Sequence, residues 1–166
     1  MIELISDIGT ISAMVYLLLI LYITIGIIRT KTDLMDVQPS VSVVISAHNE
    51  SQNIGKCLDT ILSQNYPPHK LEIIVVNDRS EDNTGLILEK YMNDYSQIQI
   101  ITINEVKPGI SPKKNAITQG VNIATGDIIA TTDADCEASE DWIKKMASFF
   151  TKETGMVVGL APLKPT

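Results

Sequence analysis

The chain has 166 residues, a formal net charge of −7, 45% hydrophobic residues and 20% charged ones. That length suits one ordinary domain, and the acidic balance argues against a nucleic-acid binder, which needs a basic face. The two cysteines, Cys57 and Cys136, form neither a spaced metal set nor a disulfide framework and read as small apolar fillers of a reducing compartment.

Residues 8–28, IGTISAMVYLLLILYITIGII, contain no charge. At about 1.5 Å per residue such a run crosses a bilayer core of roughly 30 Å. A signal peptide would want a basic start and a shorter apolar core, but the chain begins Met1-Ile2-Glu3. Glu3 and Asp7 precede the run, and Arg29 and Lys31 follow it. The positive excess predicts that the C-terminal side is cytoplasmic, with the chain anchored in the cell membrane by a single pass. Residues 30–40 are polar with one proline and read as a linker.

From Val41 onward, short apolar runs alternate with amphipathic stretches. Residues 41–46 are β-branched and predict a buried strand. Ile54, Cys57, Leu58, Ile61 and Leu62 fall on one helix face, and Asn65-Tyr66-Pro67-Pro68 stops that helix. Residues 71–76 predict a second strand ending in Asn77-Asp78-Arg79-Ser80, with Asp82 or Asn83 capping a helix through Leu88, Tyr91, Met92 and Tyr95. Residues 98–103 predict a third strand, and residues 108–112 a loop. Ala116, Ile117, Gly120, Val121 and Ala124 mark a helix closed by Gly126. Residues 127–132 predict a fourth strand. Trp142, Ile143, Met146, Phe149 and Phe150 mark a helix, and residues 156–160 a fifth strand.

Strands alternating with helices predict an α/β domain with a mostly parallel sheet covered on both faces. Ligands of such sheets bind beyond the carboxyl ends of the strands. His48-Asn49-Glu50, Asn77-Asp78-Arg79-Ser80 and Asp133-Ala134-Asp135 all fall at such ends. If the last strand runs on, Asp133 and Asp135 face one side together. Two convergent carboxylates suit a hard divalent cation, because Mg²⁺ commonly takes one or two carboxylates plus substrate phosphates. His48 reads as packing or hydrogen bonding at a strand end, and His69 as surface.

Four ordered stretches resemble the nucleotide-sugar-binding half of the family 2 glycosyltransferases, which have the Rossmann-like GT-A fold. These are residues 43–50, VVISAHNE; 74–82, IVVNDRSED; 113–120, KKNAITQG; and 132–135, TDAD. The resemblance covers about residues 41–163. Asn77 stands where the family often has a second aspartate, and Thr118 where it usually has asparagine. Together with the apolar run and the polar stretch after it, the resemblance divides the chain into an expected anchor over 1–29, a linker over 30–40 and a GT-A region over 41–166.

Transfer of a sugar from a nucleotide-diphosphate sugar, a UDP-sugar being favoured, to a hydroxyl of a glycan or lipid acceptor is the implied reaction, with inversion at the anomeric carbon. Implied donor-binding residues are Ala47, Asn49, Glu50, Asp78, Lys113 and Asp133, and the implied ligands of Mg²⁺ or Mn²⁺ are Asp135 and Asp133. Asp78 would accept a uracil-like N–H, Glu50 would hold ribose hydroxyls, and Lys113 or Lys114 would meet a phosphate oxygen. The family's catalytic base is a carboxylate beyond the Asp-x-Asp region, expected past Thr166, so the chain is expected to be a donor-binding half. Glu137, Glu140 and Asp141 read instead as the polar start of the Trp142 helix. A nucleotidyltransferase would want a glycine-rich, basic loop after the first strand, and Ala47-His48-Asn49-Glu50 is neither. A non-catalytic, membrane-tethered binding or interaction module is the other reading.

Overall fold

The β-branched runs form four parallel strands: β1 (Val41–Ala47), β2 (Leu71–Asp78), β3 (Ile98–Ile103) and β4 (Ile128–Asp133). They belong to a computed structural model that describes residues 2–29, 38–105 and 108–159. The helices are α1 (Ile2–Arg29), α2 (Ile54–Leu62), α3 (Thr84–Asp94), α4 (Pro112–Ile123) and α5 (Trp142–Ser148). The chain divides into two units, Met1–Asp33 and Leu34–Thr166. The first unit is α1, whose segment Asp7–Gly26 has a mean hydropathy of 2.2 and is long and apolar enough to cross a membrane. Side chains 7–26 are exposed. Of the expected linker, residues 30–37 lie outside the described residues.

In the second unit the strand order is β3-β2-β1-β4. The central strands β1 and β2 are buried nearly throughout, while β4 alternates between half-buried and exposed side chains. This is the pattern of a sheet covered on both faces at its centre and open at its rim. Val43, Ile45, Ile73 and Val75 pack on one face against Ile54, Leu58 and Ile61 of α2, Leu88 of α3 and Ile143 of α5. Val44, Ile74 and Val76 pack on the other face with Ala116 of α4. From β1 the sheet grows in one direction through β2 and β3, and β4 then pairs on the other side of β1. The crevice between the carboxyl ends of β1 and β4 is therefore a topological switch point, the usual place for a ligand. Register puts Ala47 opposite Asn77 and Ser46 opposite Asp133, so the three polar clusters share one rim.

The opposite end of the sheet is tied by one carboxylate. Glu72 accepts hydrogen bonds from the Ser42 hydroxyl, from Gln99 Nε2 at 3.0 Å, and from Thr125 N and Oγ1 at 2.9 and 3.2 Å. Burial pushes this carboxyl up, but the Ser42, Thr125 and Gln99 hydrogen bonds outweigh it and hold Glu72 below its ordinary value.

Four expectations are corrected. The α4 helix begins at Pro112, with Ser111 as its N-cap, so Pro112 is its first residue rather than loop. Gly126 does not close α4, which ends at Ile123; it lies against β1, where its N–H donates to Ser42 Oγ at 2.8 Å. The fourth strand is one residue later than expected, Ile128–Asp133. Residues 156–159 form no strand, with Met156 and Val158 78% and 77% exposed. Residue 160, the end of that expected strand, lies outside the described residues.

Candidate active site

A cleft of about 350 Å³ opens at the carboxyl rim, lined among others by Ala47, Glu50, Asp78, Lys113, Asp133 and Asp135. Each arrives by a different local route. Ala47 is the buried last residue of β1. Glu50 follows it and carries the start of α2: its carbonyl accepts from Asn53 N and Ile54 N, and its carboxylate from Asn53 Nδ2 at 2.8 Å. Its own N–H donates to the buried Thr84 hydroxyl at 2.8 Å, joining it to the start of α3. Asn83 holds the N-cap position of α3 without a side-chain hydrogen bond, and the Asp82 carboxylate before it accepts from Thr84 N at 2.9 Å. The Thr84 and Ser51 hydrogen bonds outweigh burial and hold the Asp82 carboxyl well below the usual range.

Asp78 ends β2 with 5% of its surface exposed. Arg79 turns back over it. Nε meets Oδ1 at 2.8 Å and Nη2 meets Oδ2 at 3.1 Å, a bidentate fork. That turn requires φ +57 at Arg79, in the left-handed region. Asn49 also lies there, with φ +56. Asn49 does not line the cleft. Its N–H donates to Ser80 Oγ at 3.0 Å and its Oδ1 accepts from Glu81 N at 2.8 Å, so it laces the end of β1 to the end of β2. His48 Nδ1 lies 2.6 Å from the Asp78 carbonyl oxygen, the strand-end hydrogen bond expected of it.

The strand stops at Asp133 rather than running on to Asp135. Cys136 N donates to Asp133 O at 3.2 Å and closes a turn. The carboxylates nevertheless share the cleft, because Ala134 between them is buried while both aspartates are exposed. Lys113, in the first turn of α4, pairs with Asp133 at 2.7 Å, both side chains more than half exposed. Such a pair is worth at most about 1 kcal/mol and opens readily.

Cys57 lies beneath the turn, its Sγ donating to Asp133 O at 3.6 Å. Burial first, then the field of Cys136, Asp135, Asp133 and Glu50, pushes its thiol up to about 12. It is a protonated packing group.

Among the described residues no three His, Cys, Asp or Glu side chains cluster as a complete metal site. Two exposed hard-oxygen ligands in one cleft nevertheless fit Mg²⁺ or Mn²⁺, which commonly completes its shell with phosphates and water. None of Glu137, Glu140 and Asp141 lines the cleft. Ser46, His48, Pro112, Ala116 and Ala134 also line the cleft, and Arg79 is the charged lining residue that sequence reasoning missed. Its adjacency to Asp78 was visible, but extended backbone would have sent the two side chains to opposite faces.

The comparisons with known proteins give the family and the fold. The glycosyl transferase family 2 profile matches residues 42–165. Similar curated proteins include glycosyltransferase AglE of Haloferax volcanii, 34% identical over 110 residues, covering 66% of this chain and 35% of that protein. Probable glycosyltransferase YdaM of Bacillus subtilis is 35% identical over 128 residues, covering 73% of this chain and 29% of that protein. The chain thus spans about a third of the length of these relatives. Among solved structures, the mannosyltransferase PcManGT of Pyrobaculum calidifontis, in complex with GDP-Man and Mn²⁺, superposes with a TM-score of 0.69 at 25% identity, covering 82% of this chain and 40% of that one. S. aureus TarS 1-349 in complex with UDP-GlcNAc gives 0.54 at 27%, covering 65% and 30%. The parallel sheet with its flanking helices is GT-A-like, and the chain belongs to glycosyl transferase family 2.

Proposed function

We propose that this chain binds a nucleotide-diphosphate sugar together with Mg²⁺ or Mn²⁺ and forms the donor-holding part of an inverting sugar transferase. The observation that carries this reading is the meeting of Glu50, Asp78, Lys113, Asp133 and Asp135 around one cleft at the switch point of the sheet. In this reading Asp78 accepts a ring N–H of the base, Glu50 holds ribose hydroxyls, and Asp133 faces ribose or cation. Asp135 ligates the cation, and Lys113 leaves Asp133 to meet a phosphate oxygen. When bound, the cation supplies positive charge to the diphosphate as it departs.

In the transfer, the bond from the anomeric carbon to the diphosphate oxygen breaks. A bond to the acceptor hydroxyl oxygen forms, and the hydroxyl proton goes to a carboxylate base. We assign no residue of this cleft to that base. The acceptor is a glycan or lipid. Helix α1 anchors the chain in the cell membrane, with the positive residues after it holding the α/β unit on the cytoplasmic side.

Titration calorimetry of the full chain in detergent with UDP or GDP, with and without Mn²⁺, tests the reading. Binding strengthened by Mn²⁺ is expected, and Asp135→Asn should lose that strengthening while the chain stays folded. Absence of binding heat from a folded sample, or an Mn²⁺ effect that survives in Asp135→Asn, overturns it.

A further inference from the structure

Arg79 lines the cleft and has no part in the donor site as drawn above. A guanidinium carries five N–H donors and no acceptor, whereas a carboxylate only accepts and has about four lone-pair positions. The fork to Asp78 uses Nε and one Nη2 hydrogen, and one position on each carboxylate oxygen. Among the described residues Arg79 side-chain nitrogens bond only to Asp78. Three donors therefore remain on Arg79 beside the unused positions on Asp78, with the fork favouring one common plane.

We propose that Arg79 is a specificity-determining residue: together with Asp78 it reads a nucleobase edge that carries a ring N–H beside a carbonyl, the edge shared by uracil and guanine. The ring N–H donates to Asp78, and the carbonyl oxygen accepts from Arg79. Placed in the same way, cytosine and adenine turn a ring acceptor toward the carboxylate and an amino donor toward the guanidinium, so both contacts repel. Sliding the ring by one position would restore a match, but Glu50 and the Asp133–Asp135 turn fix the ribose and diphosphate. This inference rests on the nucleotide-sugar reading above.

Arg79→Gly is a clean probe, because φ +57 suits glycine better than any residue with a Cβ. The side chain is lost without backbone strain. Calorimetry of the full chain in detergent with Mn²⁺ compares UDP, GDP, CDP, ADP and inorganic pyrophosphate, with the thermal midpoint as folding control. Wild type is expected to prefer UDP or GDP over CDP and ADP by at least about ten-fold, the worth of one good hydrogen bond or more. The UDP and GDP arms tell which ring size fits. Arg79→Gly is expected to weaken the preferred nucleotide about ten-fold and to leave CDP, ADP and pyrophosphate within about two-fold. Arg79→Lys, a point charge without the planar fork, should fall between.

If pyrophosphate weakens as much as the preferred nucleotide, Arg79 is a phosphate ligand and the inference fails. It fails equally if affinities are unchanged, or if they tighten, which would make Arg79 a mere cover over Asp78. A folded wild type that binds no nucleoside diphosphate brings down the proposed function as well, an outcome separate from these.

Discussion

A Cβ added at Gly126 would lie 2.6 Å from Ser42 N and 2.9 Å from Val41 C, both backbone atoms. Backbone inside a buried strand cannot swing aside as a side chain tip does. Gly126→Ala should therefore destabilise the α/β unit by about 2 kcal/mol or more, read as a lowered denaturant midpoint at unchanged slope. The glycine was legible in the sequence and its reason was not. A glycine after a helical pattern suggests a cap, and only the three-dimensional approach of the turn to β1 shows the close contact. At the site the balance is similar. Asp78, Asp133 and Asp135 were legible because acids at strand ends carry a chemical pattern that does not depend on exact geometry. Arg79 was not, because arginine has no special preference for the left-handed backbone that folds it over Asp78. Asn49 was legible as important, but it holds two strand ends together outside the cleft lining.

Helix α4 brings Lys113 to the cleft, and its seat on the sheet is set by Gly120. A Cβ there would run into Val44 Cγ1 and lie 3.2 Å from Val76 Cγ2. Two effects oppose in Gly120→Ala. Helix propensity favours alanine by about 1 kcal/mol, and overpacking against buried valines, stiff at their first torsion, costs about 1–3 kcal/mol. The clash outweighs the gain in propensity, so we expect a net loss of about 1 kcal/mol in urea unfolding. The strands β1 to β3 were legible nearly to the residue, because β-branched runs between turn signals leave few alternatives. The expected strand at residues 156–160 failed for a tertiary reason. A strand needs a ladder partner, and among the described residues 156–159 have none, leaving Met156 and Val158 in solvent.

Over the whole α/β unit, the fold class was legible from the alternation of patterns, but the order β3-β2-β1-β4 was not. Pairing is decided by long-range burial, to which local periodicity is blind. Stability should also depend on pH through Glu72. Its carboxyl is held below the ordinary value of 4.5 in the folded chain. Its contribution is thus complete above that value and is lost as pH falls through the lower, folded one. Thermal midpoints from about pH 6 to pH 3 should fall more steeply in wild type than in Glu72→Gln, and the variant should be less stable by about 1 kcal/mol at neutral pH.

The same knot sets where acid loosens the unit. Ser42, Glu72, Gln99 and Thr125 gather β1, β2, β3 and the α4–β4 connection onto one anionic centre, at the amino ends of the strands. Neutralising that centre frays the sheet from the end remote from the candidate cleft. Below pH 4.5, amide protection relative to the intrinsic exchange rate should fall first around Thr125 and Gln99 while the rim near Asp78 stays protected.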